Sequence, residues 1–230
     1  MCGRFSQTQS GERIAAAFQL NRIPDLTPRY NIAPTQSVSV ITQSRRTQDR
    51  EHHQKQWGLI PGWAKASTMG QRLINARAET VAEKPAFRNA FQRRRCLIIA
   101  DGFYEWQRSP QSHVKQPFLI QLKTRSPFAF AGLWERWQDP TTQQQVFSCT
   151  ILTTQPNRVM GPIHDRMPVM LAPEEYDVWL DPSFYNPGVL ETLLDPYDDE
   201  AMVAIPISTA INNPRNDSDT VQQPCNSAPG

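Results

Sequence analysis

Proline punctuates this chain from end to end, at twenty of 230 residues against ten glycines. Each proline fixes its own φ at about −65° and lacks an amide donor, so long helices and wide central strands give way to short elements joined by rigid turns. Between the turns, the apolar periodicity predicts a helix over roughly 11–20, capped by Ser10, with Ile14, Phe18 and the alanines at 15–17 inward. VSVI (38–41) reads as a strand, and TQSRRTQDREHHQ (43–55) as a polar, exposed loop. QWGLIPGWA (56–64) reads as a short strand followed by a Pro-Gly turn that carries Trp63. A helix is expected from Pro85 to about Gln92, burying Phe87 and Phe91. CLIIA (96–100), Asp101-Gly102 and FYEW (103–106) read as a hairpin with a two-residue turn. Further strands are expected at roughly 117–122, 128–133, 146–153, 167–171 and 202–207, with helices near 173–180 and 188–194. The sum is an α+β fold: a single domain over 1–218 with a curled, largely antiparallel β-sheet core and short flanking helices. Residues 219–230 are expected as a flexible tail.

No run approaches the roughly 20 apolar residues that cross a bilayer, and MCGRFSQTQS has no apolar signal segment. The cysteines (Cys2, Cys96, Cys149, Cys225) stand singly, without a C-x-x-C pair, which argues against a zinc cage or disulfide framework and fits a reducing, cytoplasmic compartment. No metal or organic cofactor is expected. The net charge of +2 hides a split. Residues 1–173 hold 23 Lys+Arg and 11 Asp+Glu, whereas 174–230 hold Arg215 alone against 11 acidic residues. Arginine outnumbers lysine 19 to 5, and arginine is the better planar donor to phosphate oxygens. A basic body with an acidic end is compatible with a polyanion partner, although charge alone favours surface ion pairing between the two ends.

Cys2 follows Met1 directly, and trimming of Met1 would leave an α-amine and a thiol on adjacent carbons. Their reference pKa values, about 8 and about 8.5, keep both partly nucleophilic near neutral pH. Such a 1,2-aminothiol captures an aldehyde: the amine forms an imine and the sulfur closes on the same carbon to give a thiazolidine. A cysteine that merely packs beside a start codon fits the same residues. Glu105 lies among aromatics, with Phe103 on its own face and Tyr104 and Trp106 on the other. Burial there would raise its pKa toward proton transfer near neutrality, while a strand glutamate paired to an arginine is the alternative. His164, in PIHDRMP, is the histidine that lies between apolar segments and can shuttle protons or serve as a satisfied structural group. In INARAET, Asn75, Arg77 and Glu79 face one way if the segment is extended, with Asn75 suited to a hydroxyl or carbonyl and Arg77 to a phosphate. Pro34, in RYNIAPTQ, and Trp63 are candidates for clamping and stacking on a nucleotide. Arg93, Arg94 and Arg95 read as a solvated charge run. No P-loop, dinucleotide, zincin or nucleophile-elbow motif is present.

The blocks MCGRF, YNIAPTQ, WGLIPGWA, INARAET, RCLIIADGFYEW, FAFAGLWE, CTILTTQPN, IHDRMPVML and INNPRND occur in that order. Together they resemble the SOS-response-associated peptidase (SRAP) family, over residues 1 to about 218. The resemblance implies binding to abasic sites in single-stranded DNA and a covalent crosslink through Cys2. Asn75 would then position the sugar or the amine, Glu105 would transfer protons, and His164 would assist opening of the sugar ring. Arg77 and Arg166 are the phosphate ligands it implies, with Arg4, Pro34 and Trp63 lining the channel. Abasic-site lyase and self-processing peptidase activities are implied as well. An N-terminal-nucleophile amidohydrolase and a non-covalent strand binder remain the competing readings. The protein is expected to act as a monomer, with no membrane partner, its acidic end on the far side of the molecule from the basic groove.

Overall fold

The computed structural model describes residues 2–109 and 112–225. In chain order the strands are β1 (Phe5–Gln7), β2 (Arg29–Ile32), β3 (Ser37–Gln43), β4 (Arg50–Trp57), β5 (Asn75–Arg77), β6 (Arg95–Ala100), β7 (Gly102–Ser109), β8 (Ser112–Leu122), β9 (Phe128–Gln138), β10 (Gln145–Thr154), β11 (Met167–Pro168), β12 (Met170–Leu171) and β13 (Met202–Pro206). The α-helices are α1 (Gly11–Phe18), α2 (Arg88–Arg93), α3 (Tyr176–Leu180) and α4 (Pro187–Thr192). None is long and apolar enough to cross a membrane.

Two sheets form the core. The smaller runs β13-β8-β7-β1-β2 and is antiparallel throughout. In the larger, β4, β3, β6, β9 and β10 pair in sequence and β10 pairs back to β4, which closes them into a small barrel. The β4–β10 and β5–β10 pairings are parallel, the rest antiparallel. Val40, Trp57, Cys96, Ile98, Phe130, Cys149 and Ile151 fill the barrel and continue onto Phe5, Phe103 and Ile120 of the smaller sheet. Phe5 joins the two, its ring 5.1 Å from Trp57 and 5.7 Å from Phe130, both edge-on. The narrow interior needs a glycine at 132, where a Cβ would lie 2.9 Å from Ile98 and 3.0 Å from the Cys96 sulfur. Outside the barrel, Ile41, Leu97, Ile99 and Leu152 pack against Ile14, Phe18, Phe91, Trp179 and Leu190 of the helices.

The α+β class, the curled and largely antiparallel core and the short helices agree with the sequence reading. Ser10 caps α1, and Ile14, Ala15 and Phe18 are buried, although Ala16 and Ala17 face solvent and the helix ends at Gln19 in the left-handed region. Three expectations are corrected. The polar segment 43–55 is mostly strand: β4 pairs with β3 from Gln43↔Arg50 to Ser37↔Gln56, and the reversal lies at 44–49. Its polar residues lie toward solvent while Lys55 and Trp57 turn inward. Residues 96–106 are not a hairpin. β6 lies between β3 and β9 of the barrel, whereas β7 lies between β1 and β8, so the chain changes sheets at Asp101. Gly102 serves close packing there, since a Cβ would meet Leu119 at 2.7 Å and Ser6 Oγ at 3.0 Å. The stretch 219–225, expected within the loose tail, is packed: a 3₁₀ turn at Asp219–Gln222 buries Val221 against Tyr104, and Pro224 bridges to Ile207.

Candidate active site

Antiparallel pairing of β1 with β7, in register Phe5↔Phe103 and Ser6↔Gly102, runs the amino terminus back alongside Glu105. The amide of Tyr104 donates to the carbonyl of Arg4 at 3.0 Å, which continues the ladder toward Cys2. In the chain that still carries Met1, Cys2 has no exposed surface. Its thiol points toward the Arg4 carbonyl at 3.8 Å. Burial pushes the thiol far above its ordinary range, the negative charge of Glu105 adds to the rise, and the amino terminus opposes it.

β5 lies along β10, with Asn75 opposite Ile151. From there Asn75 Nδ2 donates to the Cys2 carbonyl at 2.8 Å, which pins the peptide that follows Cys2. The other amide atom, Asn75 Oδ1, is buried without a hydrogen-bond partner among the described residues. A buried acceptor left unmatched costs about 1–3 kcal/mol, and an amine or hydroxyl would satisfy it.

Glu105 is 3% exposed on β7. Desolvation raises its carboxyl to about 7, against the pull of the amino terminus and of the Trp106 amide. It shares a cleft of about 810 Å³ with His164, Arg77, Arg108, Lys115 and Arg166. His164 is held by its own amide, which donates to the Met160 carbonyl at 2.9 Å. Its Nδ1 accepts from the Arg166 amide at 3.0 Å and also lies 2.9 Å from a carboxylate oxygen of Asp165. One ring nitrogen cannot accept in the first contact and donate in the second at once. Burial lowers the His164 pKa, so the neutral ring governs near pH 7, with Nδ1 accepting from the amide and the proton on Nε2. Asp165 becomes the partner once the ring is protonated.

The structure thus couples Cys2 to Asn75 by a hydrogen bond and joins Glu105 to His164 in one cleft, with Glu105 electrostatically felt at the Cys2 sulfur. Arg77 is exposed on that cleft; its guanidinium makes no hydrogen bond or ion pair among the described residues, although its charge is felt at Glu79. The other candidates are placed differently. Arg166 lines the cleft, but its guanidinium is engaged, to Glu79 at 2.5 and 2.9 Å and to the Thr153 carbonyl at 2.5 Å. Glu79 does not continue the Asn75–Arg77 face, because the strand gives way to a 3₁₀ turn at Ala78–Thr80. Arg4 donates to Asn31 Oδ1 at 2.7 Å and to the carbonyls of Ile211 and Asn212, so it clasps the carboxy-terminal segment rather than lining the cleft. Pro34, half-buried in a turn, and Trp63, 60% exposed after Pro61 and Gly62, both lie outside this cleft. The acidic end is not remote: Glu191 and Asp195 line a second cleft with Glu79 and Glu83, next to the Glu79–Arg166 pair. Sequence reasoning missed Arg108 and Lys115, which face the cleft from β7 and β8; the signal was present in the adjacency of those two strands.

Fold and site together define an α+β protein that packs a cysteine near its amino terminus close to a buried glutamate. The chain belongs to the SOS response associated peptidase (SRAP) family, whose model matches residues 1–214. It is 42% identical over 222 residues to abasic site processing protein YoqW of Bacillus subtilis, an alignment covering 95% of this chain and 97% of that protein. It is 32% identical to abasic site processing protein HMCES of Xenopus tropicalis, over 83% of this chain and 64% of that protein. A crystal structure of a protein from Bacteroides thetaiotaomicron superposes with a TM-score of 0.85 at 29% identity, covering 97% of this chain and all of that one.

Proposed function

We infer that this protein processes abasic sites in single-stranded DNA by capturing the ring-opened sugar on Cys2 as a thiazolidine, after removal of Met1. The observation that carries the reading is Glu105: a carboxyl raised to about 7, felt at the Cys2 sulfur and sharing a cleft with His164 and several cations. The freed amine adds to the C1′ aldehyde. Glu105 takes a proton from the nitrogen and returns one to the departing hydroxyl, which leaves as water to give the imine. The thiol sulfur then adds to the imine carbon while its proton passes to the nitrogen, closing the five-membered ring. A group titrating near the working pH does both transfers efficiently. His164, neutral and carrying its proton on Nε2, serves the opening of the hemiacetal. Asn75 holds the Cys2 carbonyl and offers Oδ1 to the amine or a sugar hydroxyl. Arg77, Arg108 and Lys115 take the phosphates.

β-Elimination from the imine is the competing exit and would give lyase turnover. A thiolate-driven peptidase is less well supported, because burial holds the Cys2 thiol protonated, whereas capture begins at the amine. The test is incubation of the mature protein with an oligonucleotide bearing one abasic site. A denaturation-resistant adduct that Cys2→Ala abolishes is the expected result. Equal adduct yield from chains whose amino terminus is blocked would overturn the reading.

A further inference from the structure

A third cleft, of about 440 Å³, opens at the other end of the barrel, and its lining shares no residue with the Cys2 site. The strand order makes the separation clear. The Cys2 site is reached through Asn75, opposite Ile151 near the end of β10, and through β1, which pairs with Gly102 just past the end of β6. This cleft meets the opposite ends, through Thr42 and Gln43 of β3, Arg95 of β6, Trp134 of β9 and Phe147 of β10. Along β10 alone, Phe147 stands four residues before the partner of Asn75, about 13 Å away.

The charge here is one-sided. Arg45, Arg93 and Arg136 are exposed on the cleft, and no ion pair engages them among the described residues. Beneath them Arg95 is 3% exposed, and its guanidinium donates to the carbonyls of Phe91, Gln92, Trp179, Asp181 and Phe184. Those dipoles hold the cation, and the Asp181 carboxylate is felt at it without an ion pair among the described residues. Lys55, buried in the barrel mouth, lies 4.5 Å over the Trp134 ring and 5.2 Å over Phe147, again with no carboxylate in ion-pair range among the described residues. The carboxylate inside the cleft, Glu135, is neutralised by Arg94 at 2.7 Å. Two polar atoms on the lining, Gln43 Oε1 and Arg94 Nε, are buried without hydrogen-bond partners among the described residues. Phe147 is a large aromatic left 41% exposed, tilted against Trp134. Exposed arginines ringing aromatic surface, with positive charge buried behind, match a phosphodiester chain whose bases find a π-face.

We propose that this barrel-mouth cleft is a second contact site for single-stranded polynucleotide, holding phosphates on Arg45, Arg93 and Arg136 and a base against Phe147 and Trp134. The proposal rests on the DNA reading above for its choice of polyanion, and not on the crosslinking chemistry. Each phosphate contact on a single strand contributes about 0.7 to the slope of log affinity against log salt. The double substitution Arg45→Ala, Arg93→Ala touches two exposed side chains and leaves Arg95 in place. It lowers the slope by about 1.4 and weakens binding of a long undamaged strand at 0.1 M salt by about 25-fold. The lysine pair, Arg45→Lys with Arg93→Lys, retains most of the slope. Adduct yield with a short abasic oligonucleotide at saturation stays at the wild-type level. Unchanged slope and affinity in a folded alanine pair overturn the proposal, as does loss of affinity for an acidic polypeptide with strand binding intact. Failure of the wild type to form any adduct would instead sink the crosslinking mechanism and leave the salt slopes to decide this site.

Discussion

Replacing Glu105 by glutamine separates what the carboxyl does for chemistry from what it costs the fold. Its ordinary value of 4.5 rises to about 7 in the folded chain. Between those values the folded state holds a proton that the unfolded state has released, so unfolding free energy falls as pH rises, by about 1.4 kcal/mol per pH unit. The loss is complete once pH passes the folded value, and it totals about 3 kcal/mol. The side chain is 3% exposed, so solvent screening does little to soften this. Glutamine fills the same volume and carries no titratable proton. Urea unfolding of wild type and Glu105→Gln at several values between pH 4.5 and 8 measures the effect directly. The variant's stability relative to wild type should climb by about 3 kcal/mol across that window, while its adduct formation slows by at least about a hundredfold for want of a proton donor. The pH dependence of the difference, rather than its absolute size, isolates the titration from any altered hydrogen bonding. A difference that stays flat from pH 4.5 to 8 would refute the raised carboxyl, and with it the proton-transfer role.

Other substitutions probe the remaining parts. Arg77→Ala should reduce the salt slope of single-strand binding by about 0.7, measured by fluorescence anisotropy, since the Arg77 guanidinium faces the cleft without an ion pair among the described residues. His164→Ala should slow capture of an abasic sugar by about a hundredfold, yet leave capture of a simple aldehyde that cannot close to a hemiacetal near the wild-type rate. Equal slowing on both would move His164 from ring opening to another step. Asn31→Ala removes one acceptor for Arg4 and donors to the carbonyls of Ile211, Asn213 and Asn216, so unfolding in urea should show a loss of about 2–4 kcal/mol, with proteolysis appearing first in 211–217.

Local pattern made the helices and most strands legible, and chemistry made Cys2 and Glu105 stand out before any contact was known. Alternation placed Phe103 and Glu105 on one face, and Phe103 indeed packs in the core that holds Cys2. What failed was pairing at a distance. A strand as polar as β4 carries no apolar alternation, because its burial comes from two residues, Lys55 and Trp57. Asp101-Gly102 carries a turn signature, but the partner that decides its geometry is β1, nearly a hundred residues earlier. The carboxylate of Asp101 accepts from Ser6 Oγ at 2.6 Å, from the Thr8 amide and hydroxyl and from the Gln9 amide, none of which is local. Arg4 and Arg166 looked like phosphate ligands because arginine is a phosphate donor. Their actual acceptors, Asn31 and Glu79, lie 27 and 87 residues away in sequence.

Those distant contacts answer a problem that the proposed chemistry creates. An amino terminus ordinarily frays, whereas a nucleophile must stay within hydrogen-bond reach of its proton carrier. Here β1 is flanked by β7 and β2, Asp101 gathers the backbone just after it, and Asn75 grips the Cys2 carbonyl. Arg4 ties the same strand to Asn31 and to the carbonyls of Ile211 and Asn212, while Asp217 receives the amides of Tyr30 and Asn31 and the guanidinium of Arg29. The carboxy-terminal segment INNPRND therefore acts on the first residues through β2, though it contributes no group to the cleft itself. On this reasoning its side chains matter to the reaction by removing freedom from the amino end: loosening the grip of Asn31 and Asp217 on β2 and Arg4, while the bond from Trp106 of β7 to Asn212 stays in place, should lower the rate of capture more than the affinity for DNA.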